Sequence, residues 1–127
     1  MSDRVTYEYA VIRLVPRVER EEFINVGVLL FSKRRRYLDM RHHLDIAKAQ
    51  ALDASLDPAI VQRYLQAWEL ICQGDRRGGA IALLDTPERF RWLAASKSTI
   101  LQCSPVHPGL CDAPESVLER LMEQYVR

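Results

Sequence analysis

No apolar run in this sequence approaches the roughly 18 residues that a membrane-spanning helix needs, which excludes a helical membrane protein. Cysteine is sparse. Cys72, Cys103 and Cys111 are an odd number and too few to staple a secreted domain, so reduced thiols and no disulfide are expected. Neither sign of charge is in excess: 18 Lys and Arg face 17 Asp and Glu for a net charge of +1. That balance argues against a protein whose main business is coating phosphate backbones. The opening MSDRVTYE lacks the basic start and apolar core of a secretory signal, so the cytoplasm is the expected compartment. A phosphate-cradling loop is missing too. GDRRGG at 74–79 has no Lys-Ser/Thr ending and follows no clear strand, and reads as a linker.

What is present is the composition of one ordinary globular domain spanning residues 1–127, with 48% hydrophobic and 28% charged residues. A chain of this size buries about two thirds of its unfolded surface in a single core. Residues 5–15 read as a strand with Tyr7, Tyr9, Val11 and Val15 on one face and Ala10, Ile12 and Leu14 on the other. Apolar side chains on both faces indicate a central strand. Residues 26–31 form a continuous valine-rich run beside Gly27, a buried strand rather than a helix. Residues 37–41 alternate, with Leu38 and Met40 inward, and suit a more exposed third strand. Between these two lie Lys33, Arg34, Arg35 and Arg36, read as a solvated hairpin tip whose charge keeps the sheet edge from sticking.

Helical patterns follow. Residues 43–56 are alanine-rich with weak periodicity. Asp57 and Pro58 are a cap and a first-turn proline, ahead of Ile60, Val61, Tyr64, Leu65, Trp68, Ile71 and Cys72 at helical spacing and a closing Gly74. Thr86 and Pro87 repeat the start signal for a helix carrying Phe90, Leu93 and Ala94, and residues 99–103 resemble a fourth strand. SPVHPGL at 104–110 is too rich in proline and glycine for a helix or a central strand. Asp112 and Glu115 have capping-box spacing before a last helix with an apolar stripe of Val117, Leu118, Leu121, Met122, Tyr125 and Val126. Strands followed by helices predict an α+β fold: a mainly antiparallel sheet of about four strands, with three or four helices packed on it in a single two-layer domain.

Residues 16–25 spend ten positions, five of them charged, on a reversal that needs two. Arg13 sits just before this bend, inside an otherwise apolar strand, where a guanidinium is costly unless it meets a carboxylate or a ligand. The glutamates of the bend, Glu19, Glu21 and Glu22, are its nearest partners in sequence. Those acids also fit a local salt-bridge network better than a magnesium site. Asn25 and Gly27 suit a backbone hydrogen bond and a tight approach at the re-entry into the second strand. Cys103, His107 and Cys111 offer soft ligands at four-residue intervals, but the spacing departs from a zinc knuckle and no fourth ligand is evident. A Cys/His nucleophilic pair would need an orienting third group that the pattern does not supply. No catalytic residue, metal or cofactor is assigned.

The stretches YEYAVIRLVPRVEREEFINVGVLLF at 7–31, PERFRWLAASKSTILQCSPVHPGL at 87–110 and LERLMEQYV at 118–126 resemble the bacterial family catalogued as domain of unknown function 3037, over nearly the whole chain. The resemblance implies a small single-domain protein. Members are sometimes encoded beside HipA-like protein kinases, which implies a partner or regulator. The family pattern often has threonine and polar residues where Cys103 and Cys111 stand here, which counts further against metal and thiol chemistry. The polar residues of these blocks that core packing explains least are the binding candidates: Arg13, Arg17, Glu21, Glu22, Asn25, Arg91, Ser98, Ser104 and His107, with Thr99 and Gln102 beside them.

Three functions follow in order. The first is a non-enzymatic binding or adaptor module that engages a protein partner, such as a kinase, through the bend and the 96–109 loop. The second is a small enzyme or binding protein for an anionic ligand such as a nucleotide or phosphorylated metabolite. There Arg13, Arg17, Arg91 and Lys97 would hold the anion and His107 or Glu21 would move protons. Nucleic-acid binding through residues 33–36 is ranked last, and the oligomeric state is left open.

Overall fold

The computed structural model of the chain describes residues 3–97 and 99–127. The strand with two apolar faces, β1 (Val5–Leu14), takes the middle of a five-stranded antiparallel sheet. β2 (Ile24–Ser32) pairs along one side of it, and β3 (Tyr37–His42) pairs β2. Two short strands, β4 (Leu101–Cys103) and β5 (His107–Cys111), lie end to end along the other side of β1. β5 is the strand beyond the four expected, and it falls in the stretch read as a loop. A strand with one neighbour needs ladder bonds on one side only, so an edge tolerates Pro108 and Gly109 where a central position would not.

The helices are α1 (Ile46–Leu52), α2 (Pro58–Gln73), α3 (Thr86–Ala94) and α4 (Pro114–Tyr125). Asp57 caps α2 by accepting from the Ala59 amide, and Gly74 closes it in the left-handed region at φ 69°. α1 is shorter than the 43–56 reading because Asp45 caps it late and the chain turns extended at Asp53. The cap of α3 is Asp85, accepting from the Glu88 amide, and not Thr86, whose hydroxyl accepts from the Arg89 guanidinium. The capping box at Asp112 does not form. Proline restricts the residue before it to extended backbone, so Ala113 becomes the boundary of α4 and no side chain caps it.

β2 decides the layering. Leu29 and Phe31 pack with Ile12, Leu14 and Met40 against Val61, Leu65 and Trp68 of α2 and Phe90 and Leu93 of α3. Val28 and Leu30 pack on the opposite face with Val5 and Tyr7 against Val117, Leu118, Leu121 and Met122 of α4. The single α+β domain therefore has three layers and not two. The continuous apolar run of residues 26–31 carries the reason, since a strand apolar on both faces must be covered on both.

Opposite the end of β1 the register slips: Ile12 pairs Gly27 and Arg13 pairs Asn25, leaving Val26 as the extra residue of a bulge. Val26 is fully buried on the α2 side, and its carbonyl accepts from the His43 amide at 2.8 Å. Residues 33–36 form the exposed tip of the β2–β3 hairpin, with Arg36 at φ 51°. Among the described residues no helix is long and apolar enough to cross a membrane.

Candidate functional site

Arg13 stands one residue from the end of β1, between Asn25 on β2 and Gln102 on β4. Beyond it, the Val15 amide donates to the Ile100 carbonyl at 2.7 Å, which pins the segment after α3 to the start of the bend. The bend then makes a 3-10 turn at Val18–Arg20, passes through Glu21 at φ 58° and enters β2. The two connections meet here. Val15, Val18, Glu21 and Phe23 from the first, with Lys97 and Gln102 from the second, surround Arg13 in a cavity of about 400 Å3.

The glutamates of the bend do not neutralise Arg13. Glu22 pairs with Arg20 at 2.6 Å, Arg17 pairs with Asp53 at 3.7 Å, and among the described residues no carboxylate lies within ion-pair distance of Arg13. The charge rests instead on an aromatic face, the guanidinium carbon 4.2 Å from the centre of the Phe23 ring. Its Nε is buried and has no hydrogen-bond partner. The Arg89 Nε and the Tyr37 hydroxyl are buried without a partner in the same way.

Other expected site residues go elsewhere. Arg17 and Glu22 line a separate recess of about 430 Å3 beside residues 51–55. The Asn25 amide donates to the Tyr125 carbonyl at 3.1 Å, tying β2 to the last turn of α4. Arg91 is exposed on α3 and does not line the Arg13 cavity. Ser98 lies outside the described residues. Gln102 donates to the Thr99 carbonyl at 2.9 Å. Lys97 donates to the carbonyls of Trp92, Leu93 and Ala95, closing the C-terminus of α3, and its ammonium lies 4.4 Å from the Trp92 ring centre and 5.5 Å from that of Trp68. Burial lowers its pKa.

Ser104 is structural. Where β4 gives way to β5, its amide donates to the Val11 carbonyl and its Oγ accepts from the Val11 amide, both at 2.8 Å, and the hydroxyl donates to the Pro105 carbonyl at 3.0 Å. Ser104→Ala therefore orphans a buried amide, and chemical denaturation should show a loss of about 1–3 kcal/mol. An unchanged midpoint would mean that water or a shifted strand replaces the hydroxyl.

His107 pairs with Tyr9, away from the residues that line the Arg13 cavity. Its ring lies 5.3 Å from that of Tyr9, whose hydroxyl bonds the Tyr125 hydroxyl at 3.1 Å. That hydrogen bond holds the Tyr9 proton to about pH 12 against an ordinary 10.0, and burial does the same for Tyr37. Both folded values are raised, so the stability these phenols contribute is whole below pH 10.0 and is lost as the pH rises toward about 12. In an alkaline absorbance titration two of the five tyrosines should lag the others. Five ordinary midpoints would contradict the buried geometry.

The three candidate zinc ligands are strung along β1 opposite Ile12, Tyr9 and Val5. Cys103 packs on the α2 side and Cys111 within the α4 cluster, so the two thiols and His107 cannot converge on one ion. Among the described residues no group of three such side chains could hold a metal. Burial pushes the Cys103 thiol to about 12 and raises Cys72 and Cys111 as well, the opposite of what a nucleophile requires.

A second recess was not foreseen. An apolar cleft of about 530 Å3 opens between α2, α3 and the segment after α3, lined by Tyr64, Ala67, Trp68, Ile71, Trp92, Ala95, Ser96, Lys97, Thr99 and Leu101. Lys97 lines both this cleft and the Arg13 cavity. The available signal was the width of the α2 stripe, of which Ile60 and Tyr64 remain 44% and 47% exposed.

The family model described as "Protein of unknown function (DUF3037)" matches residues 9–126, from within β1 to just past the end of α4. No curated protein and no solved structure matches this chain. The bend, the Arg13 cavity and the aromatic cleft all fall inside the matched region, and the chain belongs to the DUF3037 family.

Proposed function

We propose that this protein is a non-enzymatic binding or adaptor module of the bacterial cytoplasm that engages a protein partner, a HipA-like kinase being the candidate offered by the family resemblance. The observation that carries the reading is the meeting of the two connections around Arg13, with Lys97 joining that cavity to the aromatic cleft. The surface so formed sets half-exposed Phe23 against Arg13 in the cavity and half-exposed Tyr64 and Trp92 in the cleft. Aromatic residues and arginine are enriched among the anchors of protein interfaces.

The anionic-ligand reading loses ground on the same geometry. Of its four cations, Arg17 is paired with Asp53, Lys97 is spent on helix carbonyls, and Arg91 is absent from the cavity, where Glu21 adds a negative charge. A thermal-shift screen of nucleotides and phosphorylated metabolites should accordingly be silent. Purification from the native cell should recover one partner in constant proportion, and Phe23→Ala and Trp92→Ala, both at exposed positions, should reduce that recovery at least about tenfold, the cost of truncating an interface anchor. Repeated recovery of the protein alone overturns the proposal.

A further inference from the structure

We infer that the partner is held through a peptide segment that presents a bulky apolar side chain to the cleft between α2 and α3 and a single carboxylate to Arg13. This rests on the partner-binding reading above and gives that partner its chemistry.

The cleft selects the apolar half. Its volume of about 530 Å3 lies in the range of ligand-accepting recesses. Its walls include Trp68, Ile71 and Leu101, and Tyr64 and Trp92 remain partly exposed at it. Lys97 is the one charged side chain among the residues that line it. Its ammonium is already held by helix carbonyls and indole faces, so an entering side chain meets hydrocarbon and not an open ion.

Charge selects the other half. Arg13 and Lys97 both line the cavity, and Lys97 also lines the cleft, so two positive side chains stand where the two recesses adjoin. Arg13 lines the cavity without a carboxylate partner among the described residues. With Glu21 lining the same cavity, the three formal charges sum to a single positive one. That matches one carboxylate and opposes a polyphosphate, whose charges would crowd Glu21. Phe23 lies 4.2 Å from the guanidinium carbon and so limits where the Arg13 side chain can move before an acceptor arrives.

A random peptide display library panned on the immobilised full chain, after subtraction on Trp92→Ala, tests this. Recovered sequences should share an aromatic or leucine residue a few positions from an Asp or Glu. A synthetic peptide of the recovered consensus should bind at least about tenfold more weakly once its acid is changed to the amide, the loss of a charge-assisted hydrogen bond. Arg13→Met should impose the same loss, and on that variant the amide change should cost nothing further. The amide peptide measured on the unaltered protein keeps the test decisive even if Arg13→Met does not fold. Apolar peptides without an acid, or an amide peptide that binds as well, overturn the carboxylate while leaving the partner-binding reading intact. No peptide above the Trp92→Ala background overturns the cleft, and recovery of the protein alone from cells then removes both. A dimer in solution that Trp92→Ala dissociates would make a second copy the occupant and overturn the peptide.

Discussion

Leu65→Ala and Leu118→Ala are each expected to lower the unfolding free energy by about 2–5 kcal/mol, and the double variant by their sum. Both side chains are fully buried, but in different places. Leu65 packs with Trp68, Phe90 and Leu93 under α2 and α3, whereas Leu118 packs with Val28, Leu30 and Met122 under α4. The sheet lies between them, so neither cavity can be filled by collapse of the other cluster. A domain of this size has about 5–15 kcal/mol of stability to lose, and the double variant should sit near the edge of folding. Urea unfolding of the two singles and the double checks this. A double variant short of the sum by more than about 0.5 kcal/mol would mean that the clusters share neighbours and the layers are not independent.

Gly27→Val is expected to cost about 1–3 kcal/mol or more, and Gly27→Ala somewhat less. A Cβ at this position would lie 2.6 Å from the Arg41 carbonyl oxygen and 3.2 Å from both the His42 Cβ and the Ile12 Cδ1. The first of these atoms is backbone in the adjoining strand, so relief requires β2 and β3 to part. Gly27 also pairs with Ile12 at the bulge and with His42, whose imidazole bonds Glu69 of α2 at 2.7 Å. The strain should therefore reach the packing of α2 as well as the strand ladder. Thermal unfolding of Gly27→Ala should show a midpoint several degrees lower, as about 1 kcal/mol produces in a domain of this size. A midpoint equal to the parent's would show that the strands have slack that the geometry denies.

Much of the fold was legible because its signals are local. Asp57, Pro58 and Gly74 bracket α2 with chemistry that acts within one turn, and the two apolar faces of β1 marked it as a strand inside the sheet, packed on both faces. Apart from the two shifted caps, the misses are places where a partner distant in sequence outweighed a local rule. Residues 107–111 became a strand because the half of β1 from Val5 to Tyr9 lacked a neighbour on that side, and an edge accepts proline. Ser104 looked like a loop hydroxyl but serves Val11, 93 residues away, between two strands. The need of Arg13 for company was readable from its neighbours, yet the company is the Phe23 ring and not Glu19, Glu21 or Glu22 just before it. A flat apolar ring can stabilise a cation without cancelling it, and charge counting along the chain does not see that.

From sequence alone came the four helices, the first four strands, the central strand, the α+β class and the two polar segments, since alternation, helical spacing and caps are properties of neighbouring residues. Tertiary structure alone decided which helices cover which face, that a fifth strand completes β1, and that the two segments meet around a cation left without a carboxylate. These depend on which surfaces meet once the chain is closed, and that choice is made by the burial of the whole molecule and not by any single stretch of it.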